Sequence, residues 1–574
     1  MTTNLRDMDM VTMNIIDSTM VSVCREMGIV LMKTSYSTIF NEALDFTCAL
    51  AGPDGEMISQ AEFCPSMIGG VPLLARSCVR EFKPGEIEEG DVIVHNDPYR
   101  GGLHCPEHTM IKPVYVDGEI MAYAMSIGHL VEIGGMVAGA FAGEATEIFQ
   151  EGIRVPPVKI RAKGEDVEEV WKLLLANVRT PRYNYGDLRA LIAAVDLGEK
   201  RLVDLIRKYG KETFRKTIAD LITYSEARMR AEIAQIPDGQ YKFSDTVEDD
   251  GIEAKPYTIN VTVHVQGDEA VIDYTGTSKQ ARGPINGTLG VSWSAAYNAM
   301  LHMTDQSIPR NSGCFKPIRV VSPPGTVVNV DYPGPEVGGN TETHCKIAGT
   351  IIGAMAKAVP NRTMAAEGAT HTNFVFSGYD KAQDETFVCY AIELGGWGGR
   401  SFADGNDATD AINGNCRVVP VEVFETRYPW QTMSYELVQD SGGPGEHRGG
   451  LSTRRTLKNA KVEITGSQMS DRHRNQPWGL NGGQKGGLAG TWYRKANSDR
   501  WQMIDEAFGK VSASKWANIR IQPGDSMRFQ TPGGGGWGDP KKRPRDQVQE
   551  DLREGYISKD VARKVYGLEA GGGD

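Results

Sequence analysis

A chain of 574 residues with 40% hydrophobic and 24% charged residues has the composition of a globular protein. It is too long for one compact core, so roughly two to four structural units are expected. The 62 basic and 74 acidic residues give a net charge of −12, which excludes the basic footprint of a nucleic-acid binder, and no apolar run marks a membrane span.

The N-terminus, MTTNLRDMDM, lacks the basic start and apolar stretch of an export signal. Nine cysteines are scattered singly with no CxxC pair, the pattern of reduced thiols in a cytoplasm. The 66 glycines do not form linkers, which would need Gly/Ser runs. They punctuate apolar segments as GG and GGG clusters, so tight turns and closely packed strand ends are expected.

In chain order, Met8 to about Thr34 reads as a long amphipathic helix, with Val11, Ile15, Ile16, Met20, Val23, Met27 and Val30 at helical spacing. Phe46 to Leu50 and Met57 to Gln60 read as strands joined by the turn Gly52-Pro53-Asp54-Gly55, with Glu42 and Asp45 at the mouth of the hairpin. Met67 to Phe82 has the pattern of a short helix, and Val92 to His95 that of a strand. Trp171 to Ile236 is helical, broken at Pro181, and reads as a helical arm and subunit contact. Beyond Pro237 the chain turns to alternating strands (Tyr241 to Phe243, Tyr257 to Val265, Ala270 to Tyr274), with His264 as a sheet residue. Helices are expected at Gly283 to His302 and Lys346 to Val359, and a terminal helix at Arg545 to Tyr566. The fold class is α+β. It comprises an N-terminal α/β metal-bearing region (1–165), a helical arm (166–237), a β-rich glycine-punctuated domain (238–540) and a C-terminal helix and tail (541–574).

The stretch from Val92 to Gly135 carries the chemistry. His104 and Glu107 stand three residues apart in a Gly- and Pro-broken loop, and His129 ends a strand-like apolar run. Two imidazoles and a carboxylate from adjacent connections are what a catalytic divalent metal site uses, with open positions left for water or substrate. Asp45 is a further candidate ligand, His108 an alternative one, and Cys105 suits a softer metal or simple burial. Asn340, Glu342 and Thr343, after Gly338-Gly339, form either a polar pocket or a turn cap. No GxxxxGK[ST] loop is present, and the GGWGG and GGGG clusters lack the strand and helix context of a nucleotide fingerprint. Ser441-Gly442-Gly443-Pro444-Gly445 is not a nucleophile elbow.

These residues carry a resemblance. FNEALDFTCAL, HNDPYRGGLHCPEHTM, GHLVEIGG, GPINGTLGVSWSAAYNAM, GGNTET, RYPWQTMSYELVQDSGGPGEHRGG and TPGGGGWGDP together resemble the B subunit of the hydantoinase/oxoprolinase family, over nearly the whole chain. The resemblance implies the catalytic half of a two-component system. In that system a separate A-type subunit with an actin-like fold uses ATP to phosphorylate the substrate carbonyl, and the B-type subunit acts at a metal site. It implies metal ligands at His104, Glu107 and His129, with Asp45 in addition, for a divalent ion such as zinc, manganese or iron. Two departures stand out: the family pattern has Asp where Glu107 stands, and often HHxDIGG where this chain has HLVEIGG.

The expected function is hydrolysis of a cyclic amide (hydantoin, oxoproline or lactam) by metal-activated water, with Asp45, Glu42 or His108 as general base. The expected partners are an A-type ATPase subunit, in a hetero-oligomer with two or more copies of each chain, and a small cyclic amide, without nucleic acid or membrane. The alternatives are a ketone carboxylase subunit of the acetone or acetophenone type and a non-catalytic scaffold.

Overall fold

The computed structural model describes residues 8–568. Residues 1–7, part of the N-terminus read above for an export signal, and residues 569–574 of the expected tail lie outside them.

Helix α1 (Met10–Thr34) starts where the Asp9 side chain accepts the Thr12 N–H, an N-cap, and it buries Met13, Ile16, Met20, Val23, Met27 and Leu31. After the short α2 (Thr38–Asn41), β1 (Phe46–Ala51) and β2 (Met57–Gln60) form the expected hairpin. Helix α3 (Gly70–Glu81) follows. Strands β3 (Val92–His95), β4 (Glu107–Val116), β5 (Glu119–His129), β6 (Val158–Ala162) and β7 (Glu165–Asp166) complete an antiparallel sheet of order β2-β1-β5-β4-β3-β6-β7.

The apolar run Met121 to Ile127 is buried without alternation because both faces of the sheet are covered. Helices α4 (Glu168–Ala176), α5 (Pro181–Tyr209) and α6 (Lys211–Ile233) supply part of that cover. Pro181 opens α5, where its missing N–H costs nothing. The helix then lies along β4, β5 and α1, with the Ser126 hydroxyl donating to Leu191 O at 2.9 Å.

The second sheet, β11-β10-β9-β8, contains β8 (Gly239–Val247), β9 (Tyr257–Gln266), β10 (Glu269–Asp273) and a parallel β11 (Ile318–Val321). Helices α7 (Leu289–His302) and α8 (Thr343–Met355) pack on one another. The helix expected from Gly283 starts only at Leu289. Before it, Asn286 Nδ2 donates to the carbonyls of Ala281, Gly283 and Pro335, holding a loop that the Thr288 cap ends. One buried apolar cluster joins α1, the first sheet, α5, α6, β9 and α8, so residues from the first three sequence segments share a core.

The remainder comprises β12 (Asn373–Asp380), β13 (Glu385–Ala391), α9 (Val421–Arg427), β14 (Trp430–Leu437), β15 (Thr453–Asn459), β16 (Ile464–Met469), β17 (Gly490–Arg494), β18 (Gln502–Met503), α10 (Ile504–Phe508), β19 (Lys515–Ile521) and β20 (Ser526–Gln530). They build sheets β13-β12-β16-β19 and β14-β15-β20-β17-β18 around Phe374, Phe376, Trp430, Trp516 and Phe529. The expected terminal helix is two helices, α11 (Arg545–Arg553) and α12 (Lys559–Lys564), parted at Gly555, whose φ of 77° ends the first.

The glycine clusters are packing devices. The N–H groups of Gly533, Gly534, Gly535 and Gly536 donate to Gly487, Gly450, Ala366 and Gln484, so three other segments of backbone meet at one tetraglycine. A Cβ on any of the four would come within 2.2 Å of a carbonyl oxygen.

Beside β19 sits a buried ion cluster. Lys346 Nζ and Lys515 Nζ lie 2.9 and 3.1 Å from the two Asp471 oxygens, and Arg472 pairs with Asp245 at 2.7 Å. Burial alone would raise the Asp471 carboxyl, but the two ammonium groups hold it well below the usual carboxylate range.

The adjacent His473 is pushed down to about 4, by burial first and then by Lys515, although Asp471 and Asp249 oppose the shift. The folded chain therefore keeps His473 neutral, whereas the unfolded chain takes a proton below its ordinary pKa of 6.5. The stability it confers is complete above that value and is lost as pH falls toward 4, by about 3 kcal/mol. His473→Gln is expected to flatten the fall in urea midpoint between about pH 7.5 and about pH 5; an unchanged pH dependence would contradict this.

Candidate metal centre

Glu107 opens β4 directly opposite His129, which closes β5. On the other side of β5, Phe46 opposes Gly128 and the His129 N–H donates to Asp45 O at 3.2 Å. Asp45, His129 and Glu107 thus stand in a row at one end of three adjacent strands. Directly opposed residues share a face, with Cβ atoms about 5 Å apart. His104 comes from the loop before β4. Its Nδ1 lies 2.9 Å from Val337 O, which turns Nε2 toward Glu107, 3.4 Å from Oε1. The His129 ring stacks on Tyr390 at 4.7 Å and on Phe141 at 5.5 Å, and its centroid is 5.2 Å from that of His104. All four residues are buried and line one cavity of about 20 Å³.

His104 Nε2, Glu107 Oε2 and both His129 ring nitrogens have no hydrogen-bond partner although they are buried. An unpaired buried polar atom costs on the order of 1–3 kcal/mol, and four within one cavity are what a cation-binding donor set leaves when described alone. The residue types suit a divalent metal, although no three of their donor atoms lie within 4.8 Å of one another. Burial, then His104, pushes His129 well below its ordinary value, leaving the neutral imidazole that a metal needs. Burial, then the Glu107 charge, pushes Asp45 up to about 7.

The supports of the site are equally buried. Asn340 Nδ2 donates to Glu107 Oε1 at 2.8 Å, and Asn413 Nδ2 to Asn340 O at 3.0 Å. Glu151 accepts the N–H groups of Glu336 and Val337 at 2.9 Å, fixing the carbonyl that orients His104. Such contacts set the tautomer and aim of a ligand. Asn340 therefore belongs to a polar pocket, not merely to a turn.

Other sequence candidates point elsewhere. His108 follows Glu107 within β4, so the strand period of two turns it to the opposite face. There it lines an apolar gap with Leu130, Ile133, Leu174 and Leu188, and burial pushes it down to about 4. It faces away from the cavity of His104, Glu107 and His129. Glu42 ends α2 and does not line the cavity; nor does Cys105, whose N–H donates to Glu336 Oε1. Glu132, the acidic residue of HLVEIGG, accepts the N–H groups of Gly134 and Gly139 and pairs with Arg179 at 2.9 Å, which organises a loop.

The sequence reading missed a second group in the same cavity. Among the described residues, Asp45, Cys64 and Cys416 are the one set of three metal-ligating groups whose donor atoms all lie within 4.8 Å of one another. His371 also faces the cavity. Its Nδ1 is 2.8 Å from Asp410 Oδ1 and its Nε2 is 3.0 Å from Asn413 Oδ1. Burial opposes protonation of His371, but the Asp410 carboxylate outweighs it and holds the imidazole well above its ordinary value. The pair is packed without slack, since a Cβ at Gly414 would lie 2.0 Å from Asp410 Oδ2 and 2.7 Å from His371 Cε1. The only local signal for this group is the density of Asp and Asn in DATDAINGNC; everything else about it is long-range.

The sequence model of the hydantoinase B/oxoprolinase family matches residues 9–540. The caprolactamase subunit beta of Pseudomonas jessenii is 32% identical over 575 residues, covering 98% of this chain and 97% of that one. The crystal structure of the ATP-dependent caprolactamase from Pseudomonas jessenii superposes with a TM-score of 0.91 at 31% identity, over 99% of this chain and 98% of that one. A nucleotide-free structure of acetone carboxylase shares the fold, with a TM-score of 0.90 at 19% identity over 98% of this chain and 80% of that one. The chain belongs to the hydantoinase B/oxoprolinase family.

Proposed function

We propose that this chain is the ring-opening subunit of an ATP-dependent cyclic amide hydrolase that works with an A-type ATPase partner. The observation that carries this reading is the row of Asp45, His129 and Glu107, joined by His104, with orphaned donors on His104, Glu107 and His129 in one small cavity. The likeness to a caprolactamase at 31% identity, against 19% for acetone carboxylase, favours amide hydrolysis over carboxylation.

His104, Glu107, His129 and Asp45 would hold the ion. A divalent cation held there supplies positive charge to polarise a carbonyl and to acidify water. Of the three candidate bases, Asp45 alone lines the cavity, where its Oδ would accept a proton from attacking water. His371, kept protonated by Asp410, directs Nε2 at Asn413 Oδ1 and adds a positive charge to the wall of the cavity. Tyr390, Phe141 and Ile392 exclude bulk water from the cavity. The partner uses ATP to phosphorylate the amide oxygen, making an otherwise inert carbonyl a better electrophile.

The test is ATP turnover with lactams, hydantoins and 5-oxoproline, for the purified chain with and without its A-type partner. The expected result is no ATP-dependent ring opening until the partner is added. Full activity of the chain alone would contradict the reading, and ATP turnover that requires bicarbonate would turn it toward a carboxylase.

A further inference from the structure

The cavity around Asp45, His104, Glu107 and His129 measures about 20 Å³, room for an ion or a water but not for a ring. A second cavity of about 460 Å³ lies immediately beside it, within the roughly 300–1,000 Å³ typical of small-molecule sites. The wall between them is one residue thick. Along one segment, Cys64 and Ser66 face the inner cavity while Pro65 faces the outer. Along the other, Asn413 faces inward, Ile412 and Gly414 face outward, and Cys416 lines both. The outer cavity is therefore a space of substrate size that adjoins the candidate ligands.

Its charges are unbalanced. The two acidic groups that line it are already matched: Glu62 by Arg25 at 2.6 Å, and Asp410 by His371 at 2.8 Å. Arg310, half-buried on the same lining, makes no ion pair and no side-chain hydrogen bond among the described residues. Its backbone is anchored, because the next residue, Asn311, donates to Ser225 Oγ at 3.0 Å and accepts the Gly313 N–H. Phe63, Leu301, Leu394 and Trp397 supply apolar lining. Arg310 and Arg25 both act on the Glu62 carboxylate, which leaves one positive charge in excess beside apolar walls. This suits a small ring compound bearing an anionic oxygen group, gripped by the planar fork through two N–H donors.

We propose that the outer pocket seats the substrate and that Arg310 binds an anionic oxygen group on it, either a carboxylate of its own or the phosphoryl group added on activation. The nature of the ring rests on the amide-hydrolase reading above; the anion site itself does not.

The test is titration calorimetry of the purified chain with 5-oxoproline, inorganic phosphate and uncharged 2-pyrrolidinone, for wild type, Arg310→Gln and Arg310→Lys at matched melting temperatures. At least one of the two anions is expected to bind wild type, to bind Arg310→Gln at least about tenfold more weakly, and to be partly restored by Arg310→Lys. The 2-pyrrolidinone titrations should not distinguish wild type from Arg310→Gln. Binding of 5-oxoproline alone assigns the site to a substrate carboxylate, and binding of phosphate alone to the phosphoryl group. Failure of both anions to bind wild type, or equal binding by Arg310→Gln, would overturn the proposal. Metal content and partner-dependent turnover are read separately, so a failed anion site and a failed hydrolase reading remain distinguishable.

Discussion

Glu107→Gln in the assembled enzyme is expected to lower cyclic amide turnover by at least about a hundredfold while leaving the fold intact. The substitution is nearly isosteric, and the retained carbonyl oxygen can still accept from Asn340 Nδ2. What disappears is the negative charge, set 3.4 Å from His104 Nε2 and opposite His129 in the ladder. Removing that charge also removes one of the two main causes that raise Asp45, so the cavity loses a ligand and shifts the candidate base together. The matched controls are Glu42→Gln and His108→Asn. Glu42 does not line the cavity and His108 faces the α5 layer, so turnover per folded molecule should stay within about threefold of wild type, about 0.65 kcal/mol on the barrier. A Glu107→Gln enzyme with wild-type turnover would remove the site from the chemistry and return the chain to the scaffold alternative.

Asp471→Ala is expected to be the most destabilising single change. Lys346 and Lys515 are both fully buried, and each has its ammonium within about 3 Å of Asp471. Deleting the shared partner leaves Lys346 without its ion-pair partner and Lys515 with only the more distant Asp249 at 4.0 Å, and breaking one buried pair costs about 3–5 kcal/mol. Against a total stability of about 5–15 kcal/mol, the chain should be recovered largely insoluble or with a strongly lowered urea midpoint. Lys346→Met removes a charge rather than exposing one, so it should be milder than Asp471→Ala. Equal urea midpoints for Asp471→Ala and wild type would show that the cluster carries no net stability.

What was legible in the sequence is what is local. The β1–β2 turn, the strand Val92 to His95 and the long amphipathic helices follow from turn residues and hydrophobic period within single windows. His104, Glu107 and His129 were legible because β4 and β5 form one hairpin, so that residues 107 and 129 of a continuous stretch meet at its open end. The error at His108 has the same root. Glu107 was read as a loop residue, but it already obeys the strand period, and its neighbour is turned away. The start of α7 and the break in the terminal helix shifted where side-chain caps or a positive-φ glycine, not periodicity, set the boundary. His371, Asp410 and Cys416 were invisible because they come to the cavity wall from segments hundreds of residues away, brought in by the packing of β12, β13 and the loop after them, whereas Cys64 is near in sequence but carries no motif in the loop after β2. The helices at 171–236 were read correctly as helices, while their placement over the first sheet depends on the β4 and β5 surface that α5 covers.

The most direct test of the account is elemental analysis of the purified chain beside its His104→Ala and His129→Ala variants, with circular dichroism to confirm folding. The account predicts about one equivalent of divalent metal in the wild type and its loss from both folded variants. Metal absent from the wild type, or retained in both variants, would contradict it.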